Sequence, residues 1–220
     1  MYLNEKRRIS FLGHRSCSFF FPVHTSRDLG ELYKTTSFAL VGIVLLSKKI
    51  FLVALLFSWV GDLLLMGEGP LFFLLGILSF WVAQLFYLYF INKEIELPLN
   101  EFFFSKKGLI SLLLFGGYFL GTMSLLSSKL GALTIPVSGY AITLASIGVA
   151  AMLLWMTKKD NKTFALFAGV LLFIVSDSMI AFNTFYFEKN IFGFWVMATY
   201  IPAQFLICNY FKNNFLNPIP

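Results

Sequence analysis

Two acidic side chains lie inside long apolar runs of this 220-residue chain. Asp62 lies in the run 57–66, and Asp177 lies between Ser176 and Ser178. The other nine of the eleven acidic residues fall in polar connections or near the N-terminus. Burying an aspartate in hydrocarbon costs at least about 2.5–3.5 kcal/mol, so an acid in a membrane span faces the helix bundle or a wet cavity and is a functional candidate. Its chemistry would be proton transfer, in acid–base catalysis or in a proton relay.

The composition is typical of an integral membrane protein. Apolar residues make up 58% of the chain, aromatic residues 19% and charged residues 13%, and the mean hydropathy is +0.79. The net charge of +6 does not indicate nucleic-acid binding, because the basic residues lie in short connections between apolar runs. Cys17, Cys208, His14 and His24 have no metal-ligand or disulfide spacing. We therefore expect no metal site and no cofactor.

The apolar runs predict the elements that hold the two acids. Seven runs are predicted to be membrane helices, and they cover residues 35–47, 50–66, 71–91, 108–126, 133–156, 164–187 and 191–211. A weaker run at 9–23 is interrupted by His14 and Arg15. The expected fold is all-α, a polytopic membrane helix bundle of eight segments of which the first is degenerate. Its expected parts are a basic N-terminal segment at 1–33, a transmembrane domain at 34–212 and a short tail at 213–220.

The lysines predict the orientation of the bundle. If the seven runs alternate direction, the connections on one face carry eight lysines, namely Lys48, Lys49, Lys93, Lys106, Lys107, Lys158, Lys159 and Lys162. The opposite connections carry Lys129 and Lys189, so the first face should be cytoplasmic. A basic N-terminus on the same face requires residues 9–26 to enter the bilayer, which favours eight segments with both termini cytoplasmic. Short loops favour a bacterial cytoplasmic membrane, and an endoplasmic reticulum membrane stays open.

The two acids are predicted to lie at one depth in the bilayer. Asp62 follows Lys49 by thirteen residues, and Asp177 follows Phe164 by thirteen residues. At 1.5 Å per residue, each carboxylate lies roughly 20 Å from the cytoplasmic end of its helix. Two acids at one depth favour a site over structural pairing. The structural alternative is that each acid bonds a neighbouring helix, as Asp62 would do with Lys34.

Several other polar side chains project from the predicted helices. Four of them, Tyr140, Asn183, Tyr200 and Gln204, are of a kind that more often bonds another helix than a substrate. Gln84 lies deeper in its span. Tyr87 and Tyr89 lie near the cytoplasmic interface, where aromatic belts are expected, so we assign no chemistry to them.

Four stretches resemble, in order, the YhhN-type lysoplasmalogenase family of multipass membrane proteins. They are ALLFSWVGDLLLMGEGPLFFLLGILSFWVAQLFYLYF at 54–90, IPVSGY at 135–140, GVLLFIVSDSMIAFNTF at 169–185 and TYIPAQFLI at 199–207. The resemblance covers about residues 34–211 and implies eight membrane helices. It also implies hydrolysis of the vinyl ether bond of lysoplasmalogens to a fatty aldehyde and a glycerophospho-alcohol.

The resemblance implies roles for particular residues. Asp62 and Asp177 match the paired aspartates that are the expected catalytic residues of the family. One acid would protonate the vinyl ether carbon, and the other would stabilise the resulting cation or activate water, as two carboxylates do in glycosidases. The substrate would be a membrane lysophospholipid, with Lys34 as a phosphate contact. The expected substrate-binding residues are Lys34, Gln84, Tyr140, Asn183, Tyr200 and Gln204.

The sequence departs from the family pattern at three points, and one of them is the weak first segment at 9–23. Gln84 stands where the family more often has histidine, and glutamine bonds but does not titrate. Thr35 follows Lys34 where proline is usual.

Two other functions stay open. A proton-coupled lipid or small-molecule transporter would also use intramembrane acids, although the chain shows no convincing inverted repeat. The third possibility is a structural membrane protein whose acids only pair helices. The oligomeric state is not predicted.

Overall fold

The described part of the chain is all α-helical. The computed structural model describes residues 49–67, 69–95, 105–187 and 191–216, which contain helices and no strand. The α-helices are α1 Lys49–Leu65, α2 Pro70–Glu94, α3 Lys106–Leu130, α4 Thr134–Lys158, α5 Asn161–Ala181 and α6 Gly193–Leu216. A 3-10 turn, Gly131–Leu133, joins α3 to α4, and a π-helix, Phe182–Phe187, continues α5. The all-α prediction is confirmed.

The six α-helices match six of the predicted spans to within a few residues. The predicted spans 35–47 and 9–26 lie outside the described residues, so the count of eight segments stays a prediction. Within the part of the chain that the structure describes, three helical stretches are long and apolar enough to cross a membrane, namely Leu71–Glu94, Lys106–Lys158 and Asn161–Phe187. The second of these contains α3, the 3-10 turn and α4, and α1 contributes a shorter apolar helix, Phe51–Leu65.

The outer surface of the bundle is apolar, as a lipid-facing surface must be. Leu113 and Leu120 of α3 are each 68% exposed, and Phe194 at the start of α6 is 76% exposed. Large apolar side chains with this exposure form an extended patch that a water-soluble monomer would not carry. Together with the length of the apolar helices, this makes the chain an integral membrane protein.

Local sequence signals set the helix ends. Gly69 has φ 103°, a conformation that side chains rarely adopt, and Pro70 follows it at the first position of α2, where proline needs no hydrogen bond. The Asp160 carboxylate caps α5 by accepting a bond of 2.7 Å from the Thr163 amide. Pro202 lies inside α6, which continues through it to Leu216.

The helices pack as three consecutive hairpins, α1 with α2, α3 with α4 and α5 with α6, and α4 also contacts α2 and α5. Single hydrogen bonds tie the helices together. Ser79 Oγ of α2 donates to the Phe57 carbonyl of α1 at 2.7 Å, and Trp81 Nε1 of α2 donates to Thr143 Oγ1 of α4 at 2.8 Å. Ser176 Oγ of α5 donates to the Val196 carbonyl of α6 at 3.1 Å.

Candidate active site

Asp62 lies on α1 directly after a glycine that brings α2 close. A Cβ atom on Gly61 would lie 2.6 Å from Cδ2 of Phe80, so only glycine lets this ring reach the α1 backbone. The Phe80 ring in turn meets the Tyr200 ring of α6 edge to face, with centroids 6.2 Å apart. Phe173 of α5 contacts the same tyrosine ring, at 5.9 Å between centroids. The Gly-Asp pair therefore places the carboxylate next to Tyr200, whose ring is packed between Phe80 and Phe173.

The Tyr200 hydroxyl donates a hydrogen bond of 3.1 Å to Asp62 Oδ2. Tyr200 is itself 7% exposed, and its oxygen accepts a bond of 3.2 Å from Gln204 Nε2, one turn later on α6. Tyr87 of α2 donates to Gln204 Oε1 at 3.2 Å. Three bonds in series thus end on one oxygen of Asp62.

Asp177 lies on α5 and accepts two hydrogen bonds on one oxygen. The Tyr140 hydroxyl of α4 and Gln84 Nε2 of α2 both donate to Oδ2, the glutamine at 3.2 Å. Gln84 is fully buried. Its carbonyl oxygen, Oε1, has no hydrogen-bond partner within the described part of the chain.

The serines on either side of Asp177 hold α5 against its neighbours. Ser176 is bonded to the backbone of α6, as described above, and Ser178 Oγ lies 2.8 Å from the Tyr118 hydroxyl of α3. The hydroxyls that the sequence places beside Asp177 are therefore engaged with protein. They orient the helix that carries the carboxylate.

The two carboxylates lie in neighbouring parts of the described bundle. Phe173, one turn before Asp177 on α5, contacts the ring of Tyr200 at 5.9 Å between centroids, and the hydroxyl of the same tyrosine bonds to Asp62. Five helices contribute to the site, with Asp62 from α1, Gln84 from α2, Tyr140 from α4, Asp177 from α5 and both Tyr200 and Gln204 from α6. The site is therefore formed only when the helices have assembled.

Four of the six predicted substrate-binding residues lie at the two carboxylates. Gln84 and Tyr140 donate hydrogen bonds to Asp177. Tyr200 donates a hydrogen bond to Asp62, and Gln204 donates one to Tyr200.

Asn183 lies in the π-helix, where its Oδ1 accepts bonds of 3.1 Å from the amides of Ile191 and Phe192. This contact holds the connection to α6. Lys34 lies outside the described residues.

Tyr87 is the residue of the site that the sequence reasoning missed. It is 2% exposed rather than part of an interfacial aromatic belt. Its spacing from Gln84 was the available signal, because residues three apart on a helix share a face. A polar residue at Gln84 therefore predicts that the hydroxyl of Tyr87 also turns towards the bundle.

Comparison with known proteins identifies the family of the chain. The family model described as YhhN family matches residues 33–210. The human protein lysoplasmalogenase TMEM86A is 33% identical over 164 residues, which cover 73% of this chain and 64% of the human protein. The chain thus aligns with a little under two thirds of the length of that relative. No solved structure matches the chain. The matched residues include the six described α-helices except the last residues of α6, and the chain belongs to the YhhN family.

Proposed function

We propose that this protein is a membrane-embedded hydrolase that cleaves the vinyl ether bond of lysoplasmalogen-like lysophospholipids. The products would be a fatty aldehyde and a glycerophospho-alcohol. The observation that supports the proposal is the pair of intramembrane aspartates, Asp62 and Asp177, each hydrogen-bonded through Oδ2 to side chains of other helices. No hydrogen bond from the described residues reaches Oδ1 of either carboxylate, so the Oδ1 atoms of Asp62 and Asp177 are available for proton transfer.

The reaction needs one proton donor and one anionic group. The donor protonates the β-carbon of the vinyl ether, and the electron pair of the double bond forms the new C–H bond. The resulting cation is shared between the adjacent carbon and the ether oxygen, and the second carboxylate stabilises it. That carboxylate then takes a proton from the water that attacks the cationic carbon. The hemiacetal collapses to aldehyde as its C–O bond breaks. The second carboxyl group gives its new proton to the departing glycerol oxygen, and the hydroxyl of the hemiacetal returns its proton to the first carboxylate.

The hydrogen bonds distinguish the two aspartates. Asp177 Oδ2 accepts from two donors, Tyr140 and Gln84, an arrangement that suits an anion. Asp62 Oδ2 accepts from Tyr200 alone. We therefore assign the role of general acid to Asp62 and the role of cation stabiliser and base to Asp177.

The other polar residues of the site would act on the carboxylates. Tyr140, Gln84, Tyr200 and Gln204 are all engaged in the hydrogen bonds that orient Asp62 or Asp177. Their contact with substrate is therefore proposed to be secondary. Gln84 Oε1 is the exception, because it is a buried carbonyl oxygen without a partner among the described residues, and such an oxygen can accept a hydrogen bond from water or a ligand.

The remaining substrate contacts are proposals from the sequence. Lys34 would contact the substrate phosphate as a cation. Asn183 was predicted to contact substrate, and its Oδ1 accepts hydrogen bonds from the backbone amides of Ile191 and Phe192. A single-chain amphiphile would enter the bundle laterally from the lipid.

The proposed location is a bacterial cytoplasmic membrane with both termini on the cytoplasmic side. The support is the eight lysines on one set of connections. Reporter fusions at each terminus test it, because a cytoplasmic reporter should be active at both ends. An external reporter signal at either end would contradict the orientation.

Turnover of a matched substrate pair tests the proposed reaction. Purified protein in nanodiscs is incubated with a vinyl ether lysophospholipid and, separately, with its saturated alkyl ether analogue. We expect aldehyde from the first and no product from the second, because only a vinyl ether accepts a proton on carbon. In D2O the aldehyde should carry one deuterium on the carbon next to the carbonyl. Substrate-dependent proton flux in proteoliposomes without aldehyde would instead favour a transporter.

A further inference from the structure

We propose that Tyr87, which makes no hydrogen bond to either aspartate within the described residues, positions Asp62 for catalysis through Gln204 and Tyr200. Three hydrogen bonds carry the proposal, from Tyr87 to Gln204 at 3.2 Å, from Gln204 to Tyr200 at 3.2 Å and from Tyr200 to Asp62 at 3.1 Å. They connect α2 to α6 and α6 to α1. Tyr87 and Tyr200 are both buried, so bulk water does not compete with the bonds.

The direction of the three bonds follows from the donors that each group has. The Tyr200 hydroxyl donates its single proton to Asp62 Oδ2, and this oxygen can only accept while any proton of the carboxyl group lies on Oδ1. The oxygen of Tyr200 can then only accept, which requires the nitrogen of the Gln204 amide to face it. The Gln204 carbonyl oxygen consequently faces Tyr87 and accepts its proton. Each group has one arrangement that satisfies both of its neighbours.

This direction determines which oxygen of Asp62 can hold a proton. Because Oδ2 accepts from Tyr200, the proton that Asp62 donates lies on Oδ1. Without the hydroxyl of Tyr87, the Gln204 amide is free to turn over and present its carbonyl oxygen to Tyr200. Tyr200 would then donate to Gln204, and Asp62 would lose the bond that orients it. Tyr87 is therefore a positioning residue in the proposed hydrolase, and this inference rests on the proposed function.

Variants of the two tyrosines test the inference through their coupling. We expect Tyr87→Phe to lower kcat by roughly 3- to 10-fold with KM unchanged, as the loss of one neutral hydrogen bond would. Tyr200→Phe removes the last bond and should lower kcat by roughly 10- to 100-fold. The double variant should match Tyr200→Phe alone, because Tyr87 acts only through Tyr200. Additive losses would overturn the inference.

Tyr89 provides the matched control. It lies on the same helix two residues further on and is 47% exposed, with the Lys93 ammonium 4.7 Å from its ring centroid. Tyr89→Phe removes the same hydroxyl from the outside of the bundle and should leave kcat unchanged. A fall in kcat equal to that of Tyr87→Phe would show that any lost tyrosine hydroxyl on α2 has the effect, and would overturn the inference.

A spectroscopic measurement separates this inference from the proposed reaction. The infrared carboxyl bands of Asp62 are those that disappear in Asp62→Asn. We expect these bands to shift in Tyr87→Phe and in Tyr200→Phe, and to stay in place in Tyr89→Phe. Gln204→Met breaks the same series of bonds and replaces Tyr87→Phe if that variant does not fold. Unshifted Asp62 bands overturn the inference whatever the activity. Shifted bands in a protein without turnover support the positioning of Asp62 by Tyr87 and reject the proposed hydrolase.

Discussion

Tyr140→Phe removes one of the two hydrogen bonds that hold the Asp177 carboxylate and keeps the aromatic ring. Gln84 Nε2 remains 3.2 Å from the same oxygen, so the carboxylate keeps one donor. A hydrogen bond to a charged group contributes about 1.5–3 kcal/mol. At 1.36 kcal/mol for each factor of ten in rate, we expect kcat to fall roughly 10- to 150-fold if the bond is fully used in the transition state.

The assay is aldehyde release from a vinyl ether lysophospholipid, measured over a range of substrate concentrations. Tyr118→Phe is the matched control, because Tyr118 bonds to Ser178, the neighbour of Asp177, and not to Asp177. Ser178 keeps its bond of 2.6 Å to the Ile174 carbonyl, so this variant should retain kcat within about 3-fold, less than the loss of one neutral hydrogen bond. The reasoning is refuted if Tyr140→Phe retains wild-type kcat, or if both variants lose activity equally.

Three further predictions test the packing and the polar balance of the site. In Gly61→Ala the new methyl group would overlap Phe80, so the midpoint of thermal unfolding should fall by an amount that corresponds to about 1–3 kcal/mol of unfolding free energy. Gly117→Ala is the control, because Gly117 has open space around it, and this variant should not lower the midpoint. Gln84→Met removes a hydrogen-bond donor to Asp177 together with a buried oxygen that has no partner within the described residues, so kcat should fall about 10-fold or more while the unfolding midpoint stays within a few degrees. A matching loss of stability would argue that the glutamine is purely structural. Lys158→Met breaks the half-exposed ion pair with Glu94 at 2.9 Å and should change the free energy of unfolding by less than about 1 kcal/mol, with turnover unaffected, which denaturation and aldehyde assays on the same sample would check.

The sequence was sufficient to predict the helices of the described part of the chain. Membrane spans must satisfy every backbone group internally, so long apolar runs have few alternatives to a helix. The bounds of α1 and α2 accordingly follow the apolar runs at 50–66 and 71–91 to within three residues. The common depth of Asp62 and Asp177 follows from the constant rise of a helix per residue and stays a prediction.

The pairing of side chains around the site could not be predicted in the same way. Depth does not give the order of helices around the bundle, so nothing in the sequence assigned Tyr140 to Asp177 and Tyr200 to Asp62. Tyr87 was placed at the interface from its depth alone, although its spacing of three residues from Gln84 indicates that it faces the bundle.

Asn183 shows a second limit. Its oxygen accepts hydrogen bonds from the amides of residues 191 and 192, and the sequence does not indicate the π-helix that carries it.

The most direct test of the account compares Asp62→Asn and Asp177→Asn with the wild-type protein in one aldehyde-release assay. Each substitution keeps the size of the side chain and removes its capacity to donate or accept a proton as a carboxyl group. With helix content and unfolding midpoint near those of the wild type, each variant should lose at least about 100-fold in kcat, the lower end of what general acid–base groups contribute. Turnover at the wild-type rate in either folded variant would contradict the claim that the two aspartates share the chemistry.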